Sequence, residues 1–267
     1  MFEILSAEWQ LLLAMSGFVT FWLVESVAPF FPRTGRVRHA ARNLAIAGVN
    51  VVALALLLSG LTVGVAHAAE TRSWGILNKA PLSPFANVLL AVLTLDLWTY
   101  WWHRANHRIP LLWRFHRMHH SDPAMDVTTA TRFHLGEIAV STIVRLGIIP
   151  LVGIPLRVIV VYELVLLLST QFHHSNIALP SGIDRILRLV IVSPNMHRVH
   201  HSIKRVETDS NYSSVLSMWD RLFRSYRERP DYREIRFGVE GYCADRSQSV
   251  KGLFLTPITP RVRSAGV

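Results

Sequence analysis

The sequence predicts an all-α integral membrane protein with about four to five transmembrane helices and a cytosolic helical cap that carries a histidine-rich site for two metal ions. Hydrophobic residues make up 51% of the chain and the mean hydropathy is +0.30, which is too apolar for an ordinary soluble domain. Several apolar runs are long enough to cross a bilayer. The segment from His103 to His201 contains eleven of the thirteen histidines, where an even spread would place about five.

Three apolar runs in the first part of the chain are interpreted as membrane spans. The run from Leu11 to Phe31 contains one charged residue, Glu25, and the run from Leu44 to Ala66 contains none. The run from Phe85 to Trp102 ends in an aromatic cluster of the kind found at membrane interfaces. Because Met1-Phe2-Glu3 is not basic, the first run is expected to be a retained anchor and not a cleaved signal.

A helical hairpin is predicted from Ile138 to Phe172, with its turn at Gly153-Ile154-Pro155. The pattern leaves open whether this hairpin spans the bilayer fully or re-enters. Arg145 and Glu163 each lie nine residues from Ile154, so they should sit at nearly equal depth. Because charges inside a membrane tend to pair, we predict a structural ion pair between them, with binding of a substrate headgroup as the alternative.

The distribution of basic residues predicts the orientation of the chain. Positive residues concentrate in short cytoplasmic loops, which places the loop after the first span inside and the N-terminus outside. That loop contains Arg33, Arg36, Arg38 and Arg42. Counting spans from it puts every histidine cluster on the cytoplasmic side of a multi-pass protein, with a bacterial-type inner membrane as the expected location. An amphipathic stretch from Ile183 to Val192 and the polar tail beyond Asp209 are expected to complete the cap.

Three histidine clusters have spacings that bring imidazoles together. Residues at i, i+3 and i+4 of a helix share a face, so each cluster can aim two or three ring nitrogens at one point. The clusters are one H-x-x-x-H and two H-x-x-H-H motifs, formed by His103 and His107, by His116, His119 and His120, and by His197, His200 and His201. Neutral imidazoles suit zinc, copper, iron or nickel. Eight of them exceed the four ligands of a tetrahedral zinc site, which favours two ions.

Other residue types narrow the interpretation. There is no H-E-x-x-H motif, which disfavours a zincin peptidase. The single cysteine, Cys243, excludes an internal disulfide and a thiolate cluster. The net charge of +10 is assigned to an anionic membrane surface and not to nucleic acid, because long apolar segments are present. His39 and His67 lie outside the clusters and are expected to be ordinary residues that can be replaced with little effect.

Polar residues near the clusters are candidates to assist the site. Asp96 lies seven residues before His103, two helical turns away on the same face, and a carboxylate inside a membrane helix is by default functional. We expect it to hold the orientation of a histidine indirectly, with a bond to Arg104 or to another helix as the alternative. Weaker candidates of the same kind, for which a turn position is the alternative, are Asn176, Asn195 and Asn211. We therefore predict Asp96, Asn176 and Asn195 as residues that support catalysis.

The order of the clusters and their flanking sequence resemble the fatty acid hydroxylase superfamily, also called the sterol desaturase family. The likeness runs from about Asp96 to Tyr226 and includes DLWTYWWHRANH, LLWRFHRMHHSDPAMDVTTATRFH, FHHSNIALP, VSPNMHRVHHS and NYSSVLSMWDRLFRSY. It implies a membrane-bound non-haem di-iron enzyme with iron ligands at His103, His107, His116, His119, His120, His134, His174, His197, His200 and His201. His173 is the weaker member of its pair. Leu135-Gly136 replaces the Pro-Leu of many members, which affects local backbone and not a ligand.

The resemblance implies an O2-dependent hydroxylase or desaturase with two iron ions, acting on a membrane lipid such as a fatty acyl or sterol chain. A catalytic domain at 85–228 is then expected between anchor helices at 1–84 and a cytosolic tail at 229–267. Electrons should come from a separate cytochrome, ferredoxin or reductase, because 267 residues leave no room for a haem-binding or flavin-binding domain. The alternatives are a carotenoid or alkylglycerol-type oxygenase and a metal transporter, which would hold its ligands mid-membrane.

Overall fold

The chain is helical in the computed structural model, which describes residues 7–32 and 34–259, and no β-strand forms among these residues. One 3-10 helix, Val127–Thr131, follows the sixth α-helix. The α-helices, in chain order, are α1 Ala7–Val27, α2 Arg36–Leu57, α3 Ser59–Thr71, α4 Ile76–Lys79, α5 Pro84–Arg108, α6 Pro110–His120, α7 Leu135–Val152, α8 Leu156–His174, α9 Ser181–Leu187, α10 Pro194–His200, α11 Arg205–Thr208, α12 Met218–Leu222 and α13 Val250–Phe254.

Four of these helices, α1, α2, α7 and α8, are long and apolar enough to cross a membrane. A fifth span results if α3–α4 and α5, which meet at 95°, are counted as one bent span. The predicted number of spans is therefore confirmed. The predicted span from Leu44 to Ala66 has the wrong bounds, because α2 runs from Arg36 to Leu57 and a new helix begins at Ser59. Three of the arginines assigned to a loop thus lie on α2, while Arg33 and the first six residues lie outside the described part of the chain.

The predicted hairpin consists of α7 and α8. Gly153 ends α7 with a φ of +84°, a left-handed conformation that favours glycine. The turn touches the connection between α3 and α4, because a Cβ atom on Gly75 would lie 2.1 Å from the Gly153 nitrogen. Only glycine fits at this contact. Arg145 Nη2 lies 2.6 Å from Glu163 Oε1, which confirms the predicted ion pair between the two arms.

Proline and serine residues fix where the histidine-bearing helices begin. Helix α5 starts at Pro84, and the preceding Ser83 Oγ accepts a hydrogen bond from the backbone of its first turn. Helix α10 starts at Pro194 in the same way, capped by Ser193. Helix α6 also has a proline, Pro110, at its first position. The N–H at the first position of a helix has no helical partner, so a proline there loses no hydrogen bond. It fixes where the helix begins, and with that the direction in which each histidine points.

Three buried clusters hold the helices around the histidines. The largest joins α3, α4, α5, α7 and α8 through Ala66, Leu77, Ala91, Leu95, Ile149, Ile154, Val158, Ile159 and Tyr162. A second packs the end of α5 against the segment around α12 through Tyr100, Tyr212 and Trp219. In the third, Leu253 of α13 packs on Ile46 of α2 and Met118 of α6. The last described helix is therefore attached directly to a histidine-bearing helix.

Candidate metal centre

Nine buried histidines form two groups in which one nitrogen of every ring lies within 4.8 Å of the corresponding nitrogens of the same group. Group one contains five histidines and group two contains four. Neither includes a carboxylate among the described residues. Group one is His103, His107, His116, His120 and His200, and group two is His119, His174, His197 and His201.

Each H-x-x-H-H motif contributes to both groups. On α6, His116 and His120 are four residues apart and belong to group one, while His119 belongs to group two. At α10 the assignment is reversed. His200 belongs to group one, while His197 and His201 belong to group two. Consecutive helical residues point about 100° apart, so one short helix serves two adjacent sites. Each triplet thus aims two of its three rings at one point, as its spacing predicted, and its third ring joins the other group.

The Nε2 atoms converge within the groups. In group one, Nε2 of His116 lies 3.1 Å from Nε2 of His120. In group two, Nε2 of His174 lies 3.1 Å from that of His119 and 3.0 Å from that of His197, which is 3.1 Å from that of His201. Two nitrogens bound at right angles to one ion at about 2.1 Å would be about 3.0 Å apart. The arrangement therefore fits metal ions.

In three group-one histidines the outward-facing Nδ1 atom is held by an acceptor, which is how proteins orient imidazole ligands. His103 Nδ1 donates to the Tyr212 carbonyl at 2.7 Å, and His200 Nδ1 donates to the Ser210 carbonyl at 2.6 Å. His116 Nδ1 lies 2.7 Å from Glu137 Oε1. An Nδ1–H donor leaves Nε2 as the lone-pair nitrogen. Nε2 of His103 and of His200 is buried and makes no hydrogen bond, so both are free to bind an ion.

Burial keeps the imidazoles neutral. Removal from water lowers the pKa of five histidines on α6 and at α10. Neighbouring rings lower the pKa further, because two adjacent imidazolium ions would repel each other. This applies to His119, His120, His197, His200 and His201. Metal ions bind the neutral ring, so a site that resists protonation is suited to them.

Two buried arginines fix the ends of the histidine-bearing helices. Arg132 Nε donates to the Met118 carbonyl in the last turn of α6 at 3.0 Å. Arg198, on α10, donates from Nη2 to the carbonyls of Ser175 at 3.1 Å and Ile177 at 2.8 Å, just after α8. Burial lowers the pKa of Arg198 to about 9. These bonds occupy carbonyls at helix ends that have no helical partner.

Two histidines near the clusters lie outside both groups. His134 was expected as a ligand, but its Nδ1 accepts a hydrogen bond from the Gly136 N–H at 2.9 Å and its Nε2 lies 3.1 Å from the Phe254 carbonyl oxygen. It caps α7 and is not brought to the other rings. His173 is buried with its ring centre 4.0 Å from that of His197, yet it belongs to neither group. The expectation that His174 is the stronger member of its pair agrees with this geometry.

The three polar residues expected to support catalysis form hydrogen bonds with groups other than histidines. Asp96 Oδ2 accepts hydrogen bonds from Trp219 Nε1 at 2.7 Å and from the Leu216 N–H at 3.1 Å, so it ties α5 to the segment around α12. Asn176 binds the backbone of Phe31, through Oδ1 and Nδ2, at 3.0 and 2.8 Å. Asn195 Oδ1 accepts from Arg198 Nη1 at 2.6 Å. Each side chain joins segments of the fold, and the bonds of Asp96 fit the alternative of a partner on another helix. Their support of catalysis stays a prediction.

The expectation for His39 is also wrong. Its Nε2 lies 2.8 Å from Asp122 Oδ1 and its Nδ1 lies 2.9 Å from Asp126 Oδ2. Both carboxylates are fully buried, and Asp122 is two residues after His120. Because each ring nitrogen faces a carboxylate oxygen, the ring must carry both protons. His39 is thus a half-buried cation that joins α2 to two fully buried carboxylates, while His67 is exposed.

Sequence reasoning also missed the residues that orient the histidines. Glu137 was not predicted as a site residue, although its carboxylate oxygen lies 2.7 Å from His116 Nδ1. Ser210 and Tyr212 act through carbonyl oxygens, which any residue type offers, so no composition signal could have found them. The only available signal was the stretch NYSSVLSMWDRLFRSY, which includes Tyr212 and the buried Asp220.

Comparison with known proteins places this geometry among lipid-modifying enzymes. Residues 88–225, just over half of the chain, match the family model described as fatty acid hydroxylase. The chain is 31% identical over 159 residues to the ornithine lipid hydroxylase of Rhizobium tropici, which covers 59% of this chain and 46% of that protein. It is 32% identical over 142 residues to the alkylglycerol monooxygenase of Danio rerio, covering 53% of this chain and 31% of that protein.

A more distant relative is the cholesterol 25-hydroxylase of Rattus norvegicus, 24% identical over 165 residues that cover 61% of this chain and 54% of that protein. The matched region thus spans only about a third to a half of these relatives' length. No solved structure matches the chain.

Proposed function

Because the chain belongs to the fatty acid hydroxylase family, we propose that it is a membrane enzyme that uses O2 and two iron ions to hydroxylate a lipid. The observation that carries this proposal is the pair of all-histidine groups, with Nε2 atoms converging at 3.0–3.1 Å. Each group would hold one ion. The relatives support a lipid substrate, since their names refer to an ornithine lipid, an alkylglycerol and cholesterol.

The residues of the chain have defined tasks in this proposal. Neutral imidazoles leave the charge of the ions uncompensated, and iron bound there would supply the chemistry that inserts oxygen from O2 into an unactivated C–H bond. Glu137 and the carbonyls of Ser210 and Tyr212 fix the rings, so that Nε2 and not Nδ1 faces inward. Burial excludes water from both groups. Two electrons would come from a separate donor protein.

The position of the groups favours an enzyme over a metal transporter. His103 and His107 occupy the last two turns of α5, and His174 is the last residue of α8. The remaining six rings lie on or next to α6 and α10, which are too short to span. A transporter would hold its ligands near the middle of the spans. Here the groups lie at the ends of the spans, where a lipid chain can reach them from the bilayer.

The test is oxidation of lipid in membranes that contain the iron-loaded chain. We expect two irons per chain after anaerobic loading, and label from 18O2 in a lipid hydroxyl when a reductase system is supplied. Lipid that loses two hydrogens without gaining label would show desaturation instead of hydroxylation. Protein that takes up one zinc and no iron, with no change in any lipid, would contradict the oxygenase proposal. Zinc in an aerobic preparation would not, because zinc competes well for nitrogen ligands.

We further propose that the groups face the cytoplasm. The basic residues at the start of α2 and the parity of the spans support this orientation. Cys243, the single thiol of the sequence, is exposed in the segment after α12, so it reports on the same side. We expect an impermeant maleimide to label Cys243 in broken cells and not in intact ones. Since burial of part of the side chain raises the pKa of the thiol, labelling belongs at mildly alkaline pH. Labelling of Cys243 in intact cells would show the opposite orientation and contradict this proposal.

A further inference from the structure

One five-residue segment, 209–213, supplies the hydrogen-bond acceptors of two group-one histidines and places a carboxylate near a third. The Ser210 carbonyl accepts from His200 Nδ1 at 2.6 Å, and the Tyr212 carbonyl accepts from His103 Nδ1 at 2.7 Å. Asp209 Oδ1 lies 3.5 Å from His107 Nδ1. The three rings come from α5 and α10, so this segment sets the relative orientation of two helices' ligands.

Group two has no such arrangement. The Nδ1 atom of His174 donates to the Thr170 carbonyl of its own helix at 2.7 Å. The Nδ1 atoms of His119, His197 and His201 are buried and have no hydrogen-bond partner. The 209–213 segment therefore distinguishes the two groups, and a change in it should affect one metal position and not the other.

A buried carboxylate, Asp220, holds the segment in place. Its Oδ1 accepts from the Tyr212 N–H at 2.8 Å and its Oδ2 accepts from the Ser213 N–H at 2.9 Å. The N–H of Ser213 and the C=O of Tyr212 belong to one trans peptide unit, in which the two groups point in opposite directions. By accepting that N–H, Asp220 turns the Tyr212 carbonyl towards His103. Ser225 Oγ, which donates to Asp220 Oδ1 at 2.7 Å, fixes the carboxylate itself.

The other side of the segment is tied to α10. Asn211 has a φ of +53°, a left-handed conformation that asparagine tolerates better than most residues. Its Nδ2 donates to the Met196 carbonyl of α10 at 2.9 Å and its Oδ1 accepts from the Arg227 N–H at 2.8 Å. Between Asn211 and Asp220, the carbonyls that face the histidines have little freedom to turn.

We propose that Asp220 is a positioning residue that sets the metal affinity of group one through the 209–213 segment. This inference rests on the proposed dinuclear site. It assigns to Asp220 the task that sequence reasoning gave to Asp96, whose partners are Trp219, Leu216 and Tyr162. Loss of an outer hydrogen bond to a metal-binding histidine typically weakens metal affinity about 10- to 100-fold.

The experiment is a titration of the metal-free, full-length protein in detergent with Co²⁺, read from its visible absorption and from metal content after gel filtration. The wild type is expected to bind two ions per chain. Asp220→Asn keeps the shape but leaves one backbone N–H facing an amide NH2, so we expect one ion to bind with unchanged affinity and the other about 10- to 100-fold more weakly. The tightly bound ion also reports that the variant is folded.

Two sets of variants assign the weakened position. Adding His200→Ala to Asp220→Asn should remove the weakly bound ion and leave the tightly bound one, because both changes act on group one. Adding His197→Ala should instead remove the tightly bound ion of group two and leave the weakly bound one. The matched control is Glu25→Gln. Glu25 is also a buried carboxylate that accepts two backbone N–H bonds, from Val127 at 3.1 Å and Asn176 at 2.8 Å, but it does not touch the 209–213 segment. Glu25→Gln should leave the difference in affinity between the two ions as it is in the wild type.

If Asp220→Asn retains both ions at wild-type affinity, or weakens both equally as a general loss of stability would, the role of Asp220 is overturned. Should Asp220→Asn not fold, Ser225→Ala decides instead, since it removes one donor to Asp220 and should weaken the same ion to a smaller degree. A wild type that binds fewer than two ions would overturn the proposed dinuclear site itself, which is a different result.

Discussion

Replacing His200 or His197 with alanine is expected to abolish lipid oxidation, with a fall on the order of 10³-fold or more in turnover. His200 belongs to group one and His197 to group two, and both rings are buried. If the two groups act as one oxygen-activating centre, losing an ion from either stops the reaction. Turnover is measured as 18O incorporation into the lipid product, and metal content should fall from two ions to one in each variant.

His67→Ala is the control, because His67 is an exposed histidine on α3 that contacts neither group. It should retain both ions and full activity. All three proteins must be present in membranes in similar amounts, since a helix that does not insert would also be inactive. If either buried variant loses an ion yet forms an established lipid product at the wild-type rate, a shared oxygenase centre is contradicted.

The spacing of the histidines carried most of what could be predicted about the site. The 3.6-residue period of a helix brings i, i+3 and i+4 side chains to one face, so clustering was predictable from the motifs. The division of each triplet was not, because the second destination of His119 or His200 exists only once α6 and α10 lie next to each other. Short-range periodicity contains no information about which neighbouring helix a side chain will meet.

Carboxylates were harder to interpret than histidines. Asp96 drew attention because it lies in an apolar run, where an acidic residue is conspicuous. Asp220 lies in a polar segment, where an aspartate predicts solvent exposure, yet it is fully buried. Its partners are backbone N–H groups, and these become visible only when the chain folds back on itself. The sequence thus indicates which residues are unusual for their surroundings, and burial then shows which of them organise the site.

His39 shows the same limit for a single histidine. An isolated histidine near basic residues predicts a replaceable surface side chain, and nothing in its neighbourhood on α2 indicates the partners it has. Those partners, Asp122 and Asp126, are more than eighty residues away in sequence and belong to the segment that follows α6. Their distance along the chain explains why a local interpretation failed. It also makes His39 a link between a membrane helix and the end of a histidine-bearing helix.

His39→Ala is therefore expected to destabilise the fold, in contrast to the near-silent change that the sequence alone suggests. The ring lies 2.8 Å and 2.9 Å from two fully buried carboxylates, and its removal takes away the cation between them. Removing one partner from a buried ion pair typically costs about 3–5 kcal/mol. For a protein of this size we expect the apparent Tm to fall by on the order of 10 °C.

Thermal unfolding of the purified protein in detergent, followed by circular dichroism, measures this effect, and His67→Ala again serves as the control with an unchanged Tm. His39→Lys should recover part of the loss, because it restores a positive charge but meets only one carboxylate at a time. Because His39 binds no ion in either group, metal content at a temperature where the variant is folded should remain at the wild-type value. An unchanged Tm for His39→Ala would mean that the His39–Asp122–Asp126 contact contributes nothing to stability. The link between α2 and the segment after α6 would then rest on apolar packing and on the hydrogen bonds of Asn43 and Asn50.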